Sequence, residues 1–364
     1  HRDLHLSLRR QRQMCIRDRN NVKLSSLDES LCSKVRTSIL LAGPLSARHG
    51  SARIFPPGGD VIGKRRLDTH FQGLTALGVK INFDKVYNFS SDQLVGAEII
   101  LDEASVTATE NIMMAAVLAK GETTIYNAAC EPHVQDLARL LNKMGASIKG
   151  VGTNRLTING VTALQGTAYD VQPDYIEIGS YIAAAVVTGG ELIIPHIEDS
   201  LPLRVMERTY SQLGIHWSIE NNTLHLPRQL ERRAIGDIGG TTPKIEDGIW
   251  PAFPSDLMSV SIVLASQTKG TVIFFEKMFE SRMYFVDHLM SMGANIIQCD
   301  PHRVVVIGPS KLKGSKLTSP DIRAGMAMLI AACCAEGESL ISNAQVIDRG
   351  YEAIEDRLSS LGVD

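Results

Sequence analysis

The sequence predicts an α/β protein of two domains, assembled from one βα module used several times over. Three observations predict it. The chain has 364 residues, about twice the usual single-domain length of roughly 150 residues. A large apolar residue followed by Gly recurs at Leu77-Gly78, Met144-Gly145, Leu213-Gly214, Met292-Gly293 and Leu361-Gly362, at intervals of 67, 69, 79 and 69 residues. Amphipathic stretches run up to these landmarks, and short β-rich stretches follow them.

Val134, Leu137, Leu141 and Met144 are spaced 3, 4, 3. So are Leu203, Met206, Tyr210 and Leu213, and so are Tyr351, Ile354, Leu358 and Leu361. This spacing lays one apolar stripe along a helix, and the Gly suits its C-terminal cap. After the Gly come strands such as Ala146-Ser147-Ile148 and Leu156-Thr157-Ile158, separated by the turn Gly152-Thr153-Asn154. A repeat of about 70 residues is too long for a solenoid and suits a module packed several times into one body. Five modules are odd for a pseudo-symmetric pair of domains, so a sixth, N-terminal unit is expected to be missing.

Residues 1–19, HRDLHLSLRRQRQMCIRDR, contain six Arg and no apolar run. A secretory signal needs such a run, and a transit peptide would avoid the two Asp residues. The string reads as a non-native tail. The first globular domain is expected over 20–172 and the second over 173–364, with the Asp60 loop in the first.

Composition narrows the class. The chain is 44% hydrophobic and 21% charged, ordinary for a globular protein and unlike a disordered one. No window approaches the 18 or so apolar residues of a membrane span. A net charge of −3 advertises no nucleic-acid surface. The six cysteines show no CxxC spacing, which fits a reducing cytoplasm rather than a zinc site or disulfide framework. The histidines form no metal pattern. No metal and no cofactor are expected.

Pro56-Pro57-Gly58-Gly59-Asp60-Val61-Ile62-Gly63-Lys64-Arg65 nearly matches a P-loop. Arg65 stands where Ser or Thr must bind magnesium, so a nucleotide triphosphatase is rejected. What remains is a Gly-rich loop with one acid, leading into three cations at a helix start, where anions bind. An exposed turn with solvated charges is the competing reading. Arg65 precedes Leu77 by twelve residues, and Arg349 precedes Leu361 by twelve. The two thus hold equivalent places, each just before a helix. Arg282 falls on a stripe that elsewhere faces the core, which is costly unless it is paired; Glu280 or Asp287 could pair it. Together the three suggest a clamp for phosphate and carboxylate. Asp256 could cap a following helix, and Asp321-Ile322-Arg323 reads as a local ion pair. Cys333-Cys334 lies in an apolar helical run and reads as core.

These residues carry a resemblance from about Ser33 to the C-terminus. Val35-Arg36-Thr37-Ser38-Ile39, the Pro-Gly-Gly loop with Ile62-Gly63, Phe253-Pro254-Ser255-Asp256, Phe279-Glu280-Ser281-Arg282, Asp321-Ile322-Arg323-Ala324 and Ile347-Asp348-Arg349-Gly350-Tyr351-Glu352 resemble the enolpyruvyl transferase family, in the branch that uses UDP-N-acetylglucosamine. The resemblance implies a two-domain inverse α/β barrel of six βα units. It implies transfer of the enolpyruvyl group of phosphoenolpyruvate to the sugar 3′-hydroxyl, with release of phosphate, as the first committed step of peptidoglycan synthesis. Arg65 and Arg349 would hold phosphoenolpyruvate, with Arg282 nearby. Asp256 would take the hydroxyl proton, and Asp60 would protonate C3. Arg36, Arg65, Arg66, Leu67, Asp68, Thr69, Glu103, Ala104, Ser105, Val106, Thr107, Asp256, Met278, Arg282, Asp321 and Arg323 would contact substrate. The partners implied are these two small molecules, with no nucleic acid, membrane or obligate protein.

The chain departs from the family in three places. The loop acid is usually Cys, the thiol that the epoxide fosfomycin alkylates, and Asp60 implies resistance. Glu103 stands where many members have Lys. The family's early Lys-Asn pair has no counterpart, so the chain as written is expected to be inactive although its parent is an enzyme. The competing readings are a 3-phosphoshikimate 1-carboxyvinyltransferase and a non-catalytic UDP-sugar-binding paralogue.

Overall fold

A computed structural model describes residues 27–60, 62–63, 65–229, 231–236 and 238–362. The tail 1–19, together with Val61 and Lys64 of the loop, lies outside the described residues. The chain divides into two compact units: 1–59 with 65–172, and 60–64 with 173–364. The sequence assigned the Asp60 loop to the first domain; by its contacts it groups with the second unit.

In unit 1, helices α1 (Ala42–His49), α2 (Asp68–Ala76), α3 (Val106–Ala116) and α4 (Pro132–Lys143) pack with two sheets. Strands β1 (Ser51–Ile54), β2 (Lys80–Asp84) and β3 (Val86–Ser90) form an antiparallel sheet in the order β1-β3-β2. Strands β4 (Glu98–Ile100), β5 (Glu122–Tyr126), β6 (Ser147–Lys149) and β7 (Arg155–Asn159) form the second, in the order β4-β5-β7-β6. The predicted strands around Ile148 and Ile158 are its β6–β7 hairpin.

Unit 2 repeats the plan. It contains α5 (Tyr175–Val187), β8 (Leu192–Pro195), α6 (Leu201–Ser211), β9 (Ser218–Glu220), β10 (Thr223–Leu226), β11 (Lys244–Glu246), α7 (Met258–Ser266) and β12 (Gly270–Phe275). There follow α8 (Val286–Ser291), β13 (Asn295–Asp300), β14 (Arg303–Gly308), β15 (Lys316–Thr318), α9 (Ile322–Cys333), β16 (Leu340–Ser342) and α10 (Ile354–Ser360). The sheet β11-β12-β14-β13 has one parallel pair followed by a hairpin, the same order as β4-β5-β7-β6. In both, a buried helix (α3 or α7) links the parallel pair, and an outer helix (α4 or α8) leads into the hairpin.

The five apolar-Gly landmarks end α2, α4, α6, α8 and α10, and their glycines have φ between +74° and +101°. A side chain there would be strained. Val79, Ala146, Ile215 and Ala294 donate back to Leu74, Leu141, Tyr210 and Leu289 at 3.0–3.1 Å, the closure of a Schellman cap.

The inner helices explain the inverse barrel. Every residue of α7 is buried, so it has no polar face and must lie inside. It packs against α5 and α9, with the sheets and the amphipathic helices α6 and α8 outside. The predicted stripe Leu203, Met206, Tyr210, Leu213 is wholly buried. The stripe from Tyr351 is less regular: α10 starts only at Ile354, Tyr351 precedes it, and Leu361 is exposed. Cys333 and Cys334 are half-buried at the end of α9.

Candidate active site

In unit 2, three segments bring charges together. Asp256 lies in the turn Ser255–Leu257 before α7, whose N-cap is Leu257. Its Oδ1 accepts from Arg282 Nη2 at 3.1 Å. Its Oδ2 accepts from Arg323 Nε at 3.0 Å and Nη2 at 2.9 Å. Glu280 and Asp287, the partners considered for Arg282, are therefore not the ones it takes. Arg282 is only 3% exposed, and its second carboxylate is the buried Glu276, with Nε to Oε2 at 3.7 Å. Two guanidinium groups thus hold one half-buried carboxylate from both sides.

Asp321 and Arg323 form no local ion pair. Asp321 caps α9, accepting from the amides of Arg323 at 2.8 Å and Ala324 at 2.9 Å. That leaves the Arg323 side chain free to reach Asp256. Burial pushes the Asp321 carboxyl up, against these amide bonds and the Arg282 charge, while the Asp60 charge adds to the rise. Arg323 also stacks on Tyr351, 5.4 Å from the ring centroid. The Tyr351 hydroxyl is 2.8 Å from Ser180 on α5. The position of Arg323 is thus fixed from two sides.

The Asp60 loop presents its carboxyl to the same unit. Asp60 Oδ1 accepts from Arg349 Nη1 at 2.9 Å. Ile62 is buried, and its carbonyl accepts from the Ser281 amide at 3.1 Å. A Cβ at Gly63 (φ +148°) would come within 2.3 Å of Glu280 Oε2. Arg349 ends the 3-10 turn Ala344–Arg349, rather than leading straight into a helix. Met278, 41% exposed, lies on the turn that leads to Arg282.

Unit 1 gathers the other predicted contacts. Arg36 is partly buried and donates from Nη2 to the carbonyls of Arg65 at 2.9 Å and Arg66 at 2.8 Å. It thereby shapes the chain that leads into α2. Burial, then the charge of Arg65, holds its pKa below the usual arginine value. Arg66 pairs with Asp68 at the surface, at 2.6 Å. Leu67 packs partly into the core. Thr69 is buried and donates to Asp102 at 2.7 Å and Glu103 at 3.3 Å. Ala104 and Val106 are half-buried beside Ser105, which caps α3 by accepting from Ala108. The structure places Arg65 in unit 1 and Arg349 in unit 2, so the pair does not belong to one compact body.

Sequence reasoning missed the groups behind these residues. Asn111 is fully buried: its Oδ1 accepts from Gly43, and its Nδ2 donates to Ile39 and to His70 Nδ1, at 2.7, 3.0 and 3.0 Å. His70 Nδ1 is then an acceptor, so Nε2 carries the hydrogen and meets Thr107 at 3.1 Å. Burial, then the Arg36 charge, pushes His70 down to about 3. Among the described residues, no three His, Cys, Asp or Glu side chains gather as a metal site would need, and no helix is long and apolar enough to cross a membrane.

Comparison with known proteins gives the family and the fold. Residues 2–358 match the family model described as EPSP synthase (3-phosphoshikimate 1-carboxyvinyltransferase), which sets the class as carboxyvinyl transfer. The enolpyruvyl transferase NikO from Streptomyces tendae superposes with a TM-score of 0.75 at 20% identity, over 88% of this chain and 74% of that one. EPSP synthase from Acinetobacter baumannii gives 0.69 at 19%, over 90% and 77%. These two likenesses concern the fold. In sequence, the chain is 57% identical over 344 residues to UDP-N-acetylglucosamine 1-carboxyvinyltransferase of Treponema denticola, covering 94% of this chain and 80% of that protein. It is 56% identical to the enzyme of the same name from Treponema pallidum, covering 91% and 77%. The chain belongs to the UDP-N-acetylglucosamine 1-carboxyvinyltransferase family.

Proposed function

We propose that unit 2 carries the chemistry of enolpyruvyl transfer from phosphoenolpyruvate to the 3′-hydroxyl of UDP-N-acetylglucosamine. The observation that carries this reading is the Asp256 carboxylate, held between Arg282 and Arg323. Arginine forks suit the phosphate and carboxylate of phosphoenolpyruvate. Asp256 takes the proton of the sugar hydroxyl as its oxygen bonds to C2, and Asp60 gives a proton to C3. The tetrahedral intermediate then loses phosphate from C2 and a proton from C3, which restores the double bond. The family resemblance assigns Arg349 in unit 2 and Arg65 in unit 1 to the phosphoenolpyruvate anion. The resemblance assigns Arg36, Arg66, Leu67, Asp68, Thr69 and the run Glu103–Thr107 of unit 1 to the UDP-sugar, and also Met278, Asp321 and Arg323 of unit 2.

This reaction would place the protein in the cytoplasm, at the first committed step of peptidoglycan synthesis, and so in cell shape and division. The carboxylate of Asp60 would confer fosfomycin resistance, because it is a weaker nucleophile than a thiolate. Phosphate release from phosphoenolpyruvate should depend on UDP-N-acetylglucosamine and not on shikimate 3-phosphate. Release with shikimate 3-phosphate alone would overturn the reading, and UDP-sugar binding without turnover in a length-restored chain would make the protein a non-catalytic paralogue.

A further inference from the structure

Glu276 directly follows β12 and is fully buried. Its Oε1 accepts from the amides of Met278 at 3.0 Å and Phe279 at 3.1 Å. The Ser255 hydroxyl lies 2.8 Å from Oε2 and 3.0 Å from Oε1. Arg282 Nε approaches Oε2 to 3.7 Å. The backbone of Glu276 is held as well: its amide donates to the His302 carbonyl at 2.8 Å, and its carbonyl accepts from His302 Nδ1 at 2.7 Å. Asp247, also buried, accepts from the Lys277 amide at 2.5 Å. Burial first, and then the Asp247 carboxyl beside it, pushes the Glu276 carboxyl up.

One carboxyl group therefore ties three segments together: the turn that carries Asp256, the turn that carries Met278, and Arg282. Asp256 and Arg282 meet at 3.1 Å, and each is linked to Glu276, through the neighbouring Ser255 in one case and by an ion-pair approach of 3.7 Å in the other. Burying a carboxyl is costly unless it is hydrogen-bonded, and an apolar side chain there would strip a partner from the Met278 and Phe279 amides and the Ser255 hydroxyl.

We propose that Glu276 is a positioning residue for enolpyruvyl transfer. It touches no substrate; it sets the spacing between the carboxylate of Asp256 and the guanidinium of Arg282. The proposal rests on the reaction assigned above for its kinetic readout, but not for its structural one. A misplacement of about 1 Å at a reacting group can cost on the order of 100-fold in rate.

The test compares Glu276→Ala with Glu276→Gln. Glutamine keeps an oxygen for the two amides and offers a donor to the Ser255 hydroxyl. Hydrogen exchange at the amides of Met278 and Phe279 should quicken in the Ala variant and return to the parent rate in the Gln variant. In phosphate release, kcat should fall on the order of 100-fold in the Ala variant, with KM for UDP-N-acetylglucosamine changed far less, and should recover in the Gln variant. A lowered Tm with parental kcat would reduce Glu276 to a structural role and overturn the proposal. Equal loss in both variants would overturn it too, because charge and not placement would then matter. If a length-restored parent releases no phosphate, the reaction reading falls; the exchange pattern then decides the proposal alone, upheld by loss in Ala with recovery in Gln and overturned by unchanged protection.

Discussion

Arg349 Nη1 lies 2.9 Å from Asp60 Oδ1, so a cation assigned to phosphoenolpyruvate and the acid assigned to C3 neutralise one another. An anion that binds Arg349 competes with Asp60 for it. With the roles proposed above, an anion that drew Arg349 away would leave Asp60 without its counter-charge.

In a length-restored chain, Arg349→Lys keeps the charge and loses the fork, which a point charge cannot replace. Phosphate release should weaken by about 2–4 kcal/mol in transition-state terms, the scale of one preorganised donor. Near-parental turnover would return Arg349 to a structural role.

In the same length-restored chain, Asp60→Asn removes the transferable proton and should leave almost no turnover. Asp60→Cys should keep some activity and gain time-dependent inactivation by fosfomycin, since a thiolate attacks an epoxide far faster than a carboxylate. Activity after preincubation with the epoxide is the measurement. Equal inactivation of parent and Cys variant, or normal turnover in Asp60→Asn, would move the donor elsewhere.

Glu110 on α3 is pushed up to about 7, first by burial and then by the charge of Glu131. Between its unfolded value near 4.5 and about 7, the folded chain holds a proton that the unfolded chain has lost. Stability therefore falls as pH rises through that window. Glu110→Gln should unfold like the parent at pH 4 and gain on the order of 2 kcal/mol at pH 8. Denaturant midpoints at the two pH values would show this, and a constant difference would refute it.

Asn111→Ala strips partners from Gly43, Ile39 and His70 at once. Buried polar groups without partners cost about 1–3 kcal/mol each, so the urea midpoint should drop clearly. A midpoint within error of the parent would mean that the network contributes nothing to folding.

The repeat was legible because it is written in local spacing: the stripe Leu203–Leu213 and the Gly after each outer helix need no partner to be read. Asp256, Arg282 and Arg323 were visible as charged residues in odd places, yet their pairing was not. Local reading assigned Arg282 to Glu280 or Asp287 and Arg323 to Asp321, because neighbours in sequence are the only partners a sequence displays. Asp321 instead turns its carboxyl to the start of α9, and Arg323 goes 67 residues away in sequence to Asp256. Glu276 gave no signal at all. A single Glu after an apolar strand looks solvated, and its burial depends on Ser255, Phe279 and Arg282 arriving together.

The segment 60–64 belongs to unit 2 while both of its flanks belong to unit 1. The chain therefore passes from one unit to the other at three places, and a single cut cannot part them. A fragment that begins at Pro173 would hold Arg349 without Asp60, and the complementary fragment would hold Asp60 without its partner. The two pieces are thus complements rather than independent halves, and the ion pair between Asp60 and Arg349 would form only on reassembly.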